Sequence, residues 1–322
     1  MAKIYIGVSG WRYAPWRGVF YPKELPQSRE LWYASRIFSS IEINGSFYSL
    51  QRPEYYAQWR DETPDDFLFA VKGPRFITHM KKLREVQTPL ANFFASGVFN
   101  LREKLGPILW QLPPQLAYDR GRIGPFLDLL PHDLKGALKL ARRHDERLQS
   151  RACLSIDENR PLRHAMEIRH PSFLDEAFVS QLRDRNVSLV VAETAGKWPL
   201  THDVTADFVY LRLHGDKSLY TSGYSDRSLA RWAKRIEAWH KGREPADAQK
   251  ISKRKAPATK PRDVYCYFDN TDVKLRAPVD AQSLMRKLGL QQQARREIVR
   301  LARKPRSRQP SAFAGGTAAR RR

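Results

Sequence analysis

The chain has 322 residues, and a hydrophobic fraction of 42% suffices for the core of one large barrel or of two average domains. Its 57 Lys and Arg against 34 Asp and Glu give a net charge of +23, which points to an anionic partner. A disulfide framework is excluded because Cys153 and Cys266 are the only cysteines. The sequence shows no signal peptide and no run of ~18 apolar residues, so we predict a cytoplasmic protein without membrane contact.

Short apolar runs and helical patterns alternate along the chain. The eight predicted strands are 4–9, 40–44, 67–72, 107–112, 164–169, 187–193, 208–214 and 263–269. The predicted helices are 29–38, 53–62, 89–105, 175–186, 225–242 and 280–289, whereas residues 198–206 show no convincing helix. This alternation predicts an α/β TIM (β/α)8 barrel. A doubly wound sheet is disfavoured because GVSGW replaces the glycine-rich dinucleotide motif after the first strand.

Part of the positive charge lies in two polar stretches. Residues 241–263 contain eight Lys or Arg and three acids, hence +5, and residues 304–322 contain six Lys or Arg and no acid, hence +6. We therefore predict one barrel domain over residues 1–303, with 241–263 as a basic insert, followed by a disordered basic tail over 304–322. Both stretches are candidates for weak nucleic-acid binding.

Polar side chains recur at the carboxyl ends of the predicted strands. In FVYLRLHG (208–215), the apolar residues alternate with Tyr210, Arg212 and His214, so Arg212 and His214 share one face of the strand. The same parity selects Glu42, Asn44, Lys72, Gln111, Glu167 and Arg169 on other strands. Since the chemistry of TIM barrels lies at the carboxyl ends of their strands, we expect these side chains to line a ligand site.

The types of these residues favour an anionic ligand. We expect Arg169 and Arg212 to clamp the anion with help from Lys72, while Glu42 or Glu167 transfers protons together with His214. A metal-dependent enzyme is the second alternative, because these cations would repel a divalent ion and no HxH, HExxH or CxxC spacing is present. In an endonuclease-like or isomerase-like metal enzyme, the possible ligands are Glu42, Glu167, Glu193, His170, His214 and Asp269. We assign no metal ligand, and the cofactor is unknown at this point.

Aromatic residues crowd the first loop and the segment after the second strand. Trp11 in GWRYAPWRGVFYP and Tyr48 in EINGSFY could form a stacking platform for a sugar or a base. The alternative is simple packing of a long loop over the barrel, which we prefer. His170 is a weaker candidate, since it precedes Pro171 and could merely terminate its strand.

Seven blocks of the sequence resemble the YecE-like family, domain of unknown function 72. They are GVSGWRYAPWRGVFYP, IEINGSFYSL, FAVKGPRFITH, LWQLPP, EIRHPSF, YLRLHG and YCYFDNT, in this order between about Tyr5 and Leu288. The resemblance implies a TIM barrel whose polar strand ends fall on Glu42, Asn44, Lys72, Gln111, Glu167, Arg169, His170, Arg212, His214 and Asn270. It implies no specific activity.

Taken together, the sequence predicts a barrel that binds an anionic, phosphate-bearing small molecule or nucleic acid at its mouth. We expect hydrolysis by Glu/His acid–base chemistry to accompany binding, and whether the protein is an enzyme stays open at this point. The alternative from another class is a non-catalytic nucleic-acid-binding protein, in which the tail and the insert supply the affinity. The sequence does not predict an oligomeric state.

Overall fold

The computed structural model of the chain describes residues 1–148, 150–256, 260–270 and 275–290. Within them, nine strands form a single parallel sheet. The strands are β1 (Ile4–Ser9), β2 (Ser40–Ile43), β3 (Leu68–Lys72), β4 (Leu105–Gln111), β5 (His164–Glu167), β6 (Ser188–Leu189), β7 (Val191–Glu193), β8 (Phe208–Leu213) and β9 (Asp263–Phe268). The predicted tail over 304–322 lies outside the described residues.

The sheet curls into a nearly closed barrel. Its strand order is β6-β5-β4-β3-β2-β1-β9-β8-β7, so β6 and β7 form the two edges of the sheet. They are the two halves of the predicted strand 187–193, since β6 pairs with β5, β7 pairs with β8, and only Val190 separates them. The predicted TIM barrel is confirmed, and the ninth strand arises from this break.

Helices cover the outside of the sheet, apart from the short helix after β2, which lies at the mouth of the barrel. They are α1 (Glu30–Ala34), α2 (Gly45–Tyr48), α3 (Pro53–Glu62), α4 (Gln87–Ala95), α5 (Arg120–Leu129), α6 (Leu134–Ala141), α7 (Glu176–Arg183), α8 (Asp226–His240) and α9 (Arg276–Lys287). The side chains of Asp175 and Ser225 cap the amino ends of α7 and α8. The sequence did not predict α5 and α6, and α5 contains two glycines and a proline, which obscure its helical pattern.

The predicted helix 89–105 is interrupted at Gly97. This residue has a φ of +107°, and a Cβ atom there would lie 2.4 Å from the Cα of Pro53 at the start of α3. Close packing between the two elements therefore requires a glycine in a left-handed conformation, which ends α4. A 3₁₀ helix over Val98–Lys104 continues the segment to β4.

The crossover before β8 contains no helix, as the sequence predicted, and part of the basic insert lies against it. The backbone amides of Ile251 and Ser252 donate to the carboxylate of Asp203, at 2.7 and 3.0 Å. The His202 amide donates to the Gln249 carbonyl, and the Gln249 amide donates to the His202 ring. The insert is thus packed on the barrel wall over these residues. Among the described helices, none is long and apolar enough to cross a membrane.

Strand parity separates two cores. The larger core lies between the strands and the helices and includes Trp110, Trp232 and Trp239. The smaller core fills the barrel and includes Ala70, Leu109, Ala165, Val190, Phe208, Tyr210, Tyr265 and Tyr267. Gly7 also faces inward, and a Cβ atom there would lie 1.8 Å from the Ser40 carbonyl oxygen. The barrel interior is therefore filled, and a polar layer lies above it at the carboxyl ends of the strands.

Candidate functional site

The lowest polar layer of the barrel mouth is centred on Arg212. Together with Glu42, Glu167 and His214 it forms a set of fully buried side chains that we call the floor. The guanidinium donates to both oxygens of Glu42 at 3.0 and 2.8 Å, and to Glu167 at 2.7 Å. It also donates to Asp269 at 2.9 Å and to the His214 ring at 3.1 Å. All five N–H groups are thereby used, so Arg212 has no donor left for the predicted anion clamp.

The two buried glutamates are held as hydrogen-bonded carboxylates. Glu42 accepts from Ser9 and Tyr210 in addition to Arg212, at 2.9 and 2.7 Å. Glu167 accepts from Gln111 and Arg169 at 2.9 and 3.0 Å. Burial raises the pKa of Glu167, but Arg212 and Arg169 outweigh it and bring that pKa well below its usual range. Both predicted proton-transfer carboxylates are therefore engaged in ion pairs beneath the surface.

His214 is a neutral side chain within the floor. Arg212 can only donate, so Nε2 of His214 accepts this bond, and Nδ1 donates to the Glu193 carbonyl at 3.2 Å. Burial and the adjacent Arg212 lower the pKa of His214 to about 4. The basic nitrogen is thus occupied at neutral pH, contrary to the acid–base role expected from the sequence.

An open cavity of about 750 Å³ lies above the floor. This mouth cavity is lined by Tyr13, Asn44, Phe47, Tyr48, Lys72, Arg75, His79, Met80, Gln111, Arg169, Tyr220 and Asp269. Five of the predicted binding residues, Asn44, Tyr48, Lys72, Gln111 and Arg169, therefore come together in one place. They lie at the strand ends or one to five residues beyond them, as expected for a barrel mouth.

Arg169 presents free donors to the mouth cavity. Its guanidinium lies 3.8 Å from the ring centroid of Trp198, donates to Glu167 through Nε at 3.0 Å and reaches Tyr220 Oη through Nη2 at 3.3 Å. Nη1 makes no hydrogen bond within the described part of the chain. An arginine fixed by stacking and one ion pair, with donors remaining, suits recognition of a phosphate or carboxylate.

Lys72 is the second cation of the mouth cavity. It is the last residue of β3, and only 8% of it is exposed. Its ammonium lies 4.2 Å above the centroid of the Phe47 ring and makes no hydrogen bond to any residue of the described ranges. Burial and the Arg212 guanidinium lower the pKa of Lys72 to about 8, although nearby carboxylates oppose the shift.

An aromatic wall borders these cations. Phe47 packs edge-on against Tyr48 and against His79, with centroids 5.1 Å apart in both pairs. Tyr48 is 67% exposed, and the guanidinium of Arg75 lies 5.7 Å from its ring centroid. Burial and the cations Arg169 and Lys72 lower the pKa of His79 to about 4. The wall thus offers apolar and aromatic surface beside a positively charged region.

Three predicted binding residues lie elsewhere. Trp11 is buried and packs edge-on against Trp59 in the outer core, which agrees with the packing alternative. The Nδ1 atom of His170 accepts from the Ser172 amide and caps the short helix that follows β5. Asn270 donates to the Ser222 carbonyl and to Asp280, and so joins the loop after β8 to α9. These contacts give each residue a structural role.

Sequence analysis did not predict every binding residue of the mouth cavity. It offers Asp269 only as a possible metal ligand, although this residue follows β9 directly and its position at a strand end places it at the mouth. Arg75 and Tyr220 lie in loops after β3 and β8, and only the folded loops bring them to the mouth. Among the described residues, no group of three or more His, Cys, Asp and Glu side chains is arranged to hold a metal ion. The carboxylates of the floor converge on the Arg212 guanidinium instead.

Comparison with known sequences gives a consistent family match. The model of the family described as protein of unknown function DUF72 matches residues 5–308. The chain is 26% identical over 199 residues to the UPF0759 protein YecE of Escherichia coli strain K12, covering 59% of each protein. It is 31% identical over 116 residues to the UPF0759 protein YunF of Bacillus subtilis strain 168, covering 34% of this chain and 40% of YunF. The chain thus spans less than two thirds of the length of either relative.

Two solved structures show the same fold. A DUF72 family protein of Thermotoga maritima MSB8 superposes with a TM-score of 0.65 at 22% identity, covering 89% of this chain and 99% of that one. A DUF72 family protein of Enterococcus faecalis V583 superposes with a TM-score of 0.62 at 15% identity, covering 90% and 97%. At these identities the likeness concerns the barrel and not its chemistry.

Proposed function

Since the chain belongs to the DUF72 family, we start from its barrel and propose that the mouth binds a small molecule carrying a phosphate or carboxylate group. The observation that carries this proposal is the bonding of Arg169. Its guanidinium is stacked on Trp198, and its Nη1 bonds to none of the described residues, so it is free to bind a ligand. Guanidinium groups bind such anions in a bidentate manner. The ligand is therefore one whose anionic group fits beside the Trp198 ring.

The charge of the mouth cavity supports an anion. Lys72, Arg75 and Arg169 line it, and Asp269 is the carboxylate among the lining residues. Asp269 already accepts from Arg212 through Oδ2, so it neutralises the cavity only in part. With its pKa at about 8, Lys72 is mostly protonated at neutral pH. The resulting excess of positive charge favours an anionic ligand over a neutral one.

Size and shape support a small molecule. The cavity volume of about 750 Å³ lies within the range typical of small-molecule sites. Phe47 and Tyr48 provide a wall for a ring or a carbon chain, while Asn44 and Gln111 provide polar contacts. Hydrolysis by Glu42, Glu167 and His214 is not part of this proposal, because all three are buried in the floor with their polar atoms already bonded.

The proposal is tested by ligand-dependent thermal unfolding of wild type and two arginine variants. Arg169→Gln removes the free donors, and Arg185→Gln is the matched control because Arg185 pairs with Asp128 on the surface. Phosphate and mononucleotides should raise the Tm of wild type and of the control, since they bind the native state. In Arg169→Gln we expect the affinity to fall about 10- to 100-fold, as for the loss of a charged hydrogen bond.

Two outcomes would contradict the proposal. Equal shifts in all three proteins would move the anion site away from Arg169, and no shift with any anion would exclude a small-anion site of useful affinity. A short single-stranded DNA serves as the comparison ligand. If only DNA raises the Tm, and does so equally in Arg169→Gln, nucleic-acid binding by the basic segments replaces the mouth as the function.

A further inference from the structure

Two lysines among the described residues are buried, and they differ in the hydrogen bonds of their ammonium groups. Lys104 is 4% exposed and donates to the Arg60 and Thr63 carbonyls at 2.7 and 2.8 Å. Lys72 is 8% exposed, but its Nζ makes no hydrogen bond within the described ranges and faces the mouth cavity. The hydrogen bonds of Lys104 are typical of a structural lysine. The amine of Lys72 remains available to react with a molecule in the mouth cavity.

The surroundings of Lys72 raise the share of its neutral form above that of an ordinary lysine. Burial removes water from the ammonium, and the Arg212 guanidinium of the floor repels it. At its pKa of about 8, roughly a quarter of Lys72 is unprotonated at pH 7.5, against roughly a thousandth of an ordinary lysine. A neutral lysine amine is a nucleophile, and a cationic neighbour together with desolvation is a known way to produce one.

We propose that Lys72 is a nucleophile that forms a Schiff base with the carbonyl group of an anionic aldehyde, ketone or 2-oxo acid bound in the mouth cavity. This inference rests on the proposed anion site, because Arg169 holds the anionic group of the substrate. Lys72 and Arg169 line the same cavity, so one small molecule can contact both. The aromatic wall of Phe47 and Tyr48 then lies beside its carbon skeleton.

The reaction needs no partner besides the substrate. The Lys72 nitrogen forms a bond to the carbonyl carbon, and the C=O π pair moves to oxygen, which takes up the proton that the nitrogen releases. The resulting carbinolamine then breaks its C–O bond. Its hydroxyl leaves with the second nitrogen proton as one water molecule, and a C=N bond remains. Amine and carbonyl thus give imine and water, with no net oxidation.

Two side chains of the mouth cavity are placed to assist these proton transfers. Asp269 lines the cavity, and its Oδ1 atom makes no hydrogen bond to a described residue, so this oxygen can accept a proton and return it. The Oδ1 atom of Asn44 is buried without a hydrogen-bond partner in the described structure. It can accept from the carbinolamine hydroxyl, which would satisfy an acceptor that is otherwise unpaired.

Reductive trapping with an anionic aldehyde tests the proposal. The full chain is incubated with pyridoxal 5′-phosphate, reduced with sodium borohydride and examined by intact mass and peptide mapping, with phosphate-free pyridoxal as the matched probe. We expect labelling at Lys72 to exceed that of exposed lysines such as Lys197 by about tenfold or more at pH 7.5. The labelling rate should rise with pH and level off above about pH 8.

Variants separate the amine from the anion site. Lys72→Arg keeps the charge and should lose the label while phosphate still raises its Tm. In Arg169→Gln, the advantage of pyridoxal 5′-phosphate over pyridoxal should disappear. A label spread over exposed lysines with Lys72 unmodified would overturn the Schiff-base proposal, even if phosphate still stabilises the protein. Equal labelling of Lys72 by both probes in wild type would keep the nucleophile and reject the anion site.

Discussion

The floor and the mouth cavity each contain an arginine that pairs with Glu167, and these two arginines differ in how many of their donors are bonded. Arg212 in the floor meets the carboxylates of Glu42, Glu167 and Asp269, so all of its donors are bonded. Arg169 in the mouth cavity meets one carboxylate, a tyrosine hydroxyl and the face of an indole. The arginine whose donors are all bonded stabilises the barrel, and the arginine with free donors is available to bind a ligand. The following experiments test that distinction.

The largest expected effect is the loss of Arg212. In Arg212→Met, Glu42 loses its counter-charge and Glu167 keeps only Arg169, so we expect the free energy of unfolding to fall by about 3–5 kcal/mol. Arg169→Met should cost clearly less, because its guanidinium makes one ion pair. Urea unfolding of both variants measures the difference. Equal losses would mean that both arginines are structural.

The control for this experiment restores the charge balance. Adding Glu42→Gln and Glu167→Gln to Arg212→Met removes two of the three carboxylates that pair with Arg212. We expect part of the lost stability to return, because amides tolerate burial without a counter-ion better than carboxylates do. No recovery would assign the loss to packing instead of charge.

A smaller effect of opposite sign is expected at Lys72. The pKa of this lysine is about 8 in the folded protein and 10.5 ordinarily, a difference equivalent to roughly 3 kcal/mol against its charged form. Lys72→Met should recover part of this and raise the free energy of unfolding by about 1–2 kcal/mol at pH 7. A variant less stable than wild type would contradict the view that Lys72 is retained at a cost to stability.

The pH dependence gives this comparison a second measure. Between pH 8 and 10.5 the unfolded chain binds the Lys72 proton and the folded protein does not, so this residue makes stability rise with pH. The stability advantage of Lys72→Met should therefore shrink across that window and then reverse, since the roughly 3 kcal/mol that wild type recovers exceeds the advantage at pH 7. A difference that is independent of pH would exclude titration of Lys72 as its cause.

A subtler effect distinguishes the two histidines nearest the site. The pKa values of His79 and His214 are both about 4, but His79 lines the mouth cavity and His214 lies in the floor. Bound phosphate should offset the influence of Arg169 and Lys72 and raise the pKa of His79 by about one. The pKa of His214 should rise less, because Arg169 is the smallest of the influences on it. NMR titration of the ring protons measures both. Equal responses would remove the distinction between the layers.

The smallest effect is expected from the basic tail. Deletion of residues 304–322 removes a charge of +6 and should leave the phosphate-induced Tm shift unchanged, since the lining residues of the mouth cavity lie between Tyr13 and Asp269. Calorimetric titration of both chains with phosphate gives the comparison. A large loss of affinity would place the anion site outside the barrel mouth.

The sequence predicted the barrel from the alternation of strand and helix patterns, and the direction of the strand side chains from their period of two. Alternation placed Glu42, Lys72, Glu167 and Arg212 on the face opposite the helices, and the structure has them there. Alternation does not indicate how far below the barrel mouth a side chain lies. Arg212 lies within β8, whereas Arg169 lies two residues beyond the end of β5, and this offset separates the floor from the mouth cavity.

Other parts of the site depend on contacts that local pattern does not contain. Tyr220 reaches Arg169 from the loop after β8, and Trp198 reaches it from the segment after β7. Long-range placement of this kind follows from how loops pack, so no periodicity signals it. The predicted strand over 187–193 shows the same limit, since its break at Val190 is set by its pairing with two different neighbours.

The contact between Asp203 and the insert gives one side of the barrel a distinct thermodynamic character. Helices such as α8, with its buried Trp232 and Trp239, cover other sides of the barrel. On the side of Asp203, the insert is held by backbone amides that donate to the Asp203 carboxylate. The insert packs Ile251 and Ala256 against the core, fewer and smaller apolar side chains than α8 buries, so the heat-capacity change of its opening should be smaller. Amide exchange of Ile251 and Ser252, followed with temperature, would then give a less curved van't Hoff plot than exchange within α8.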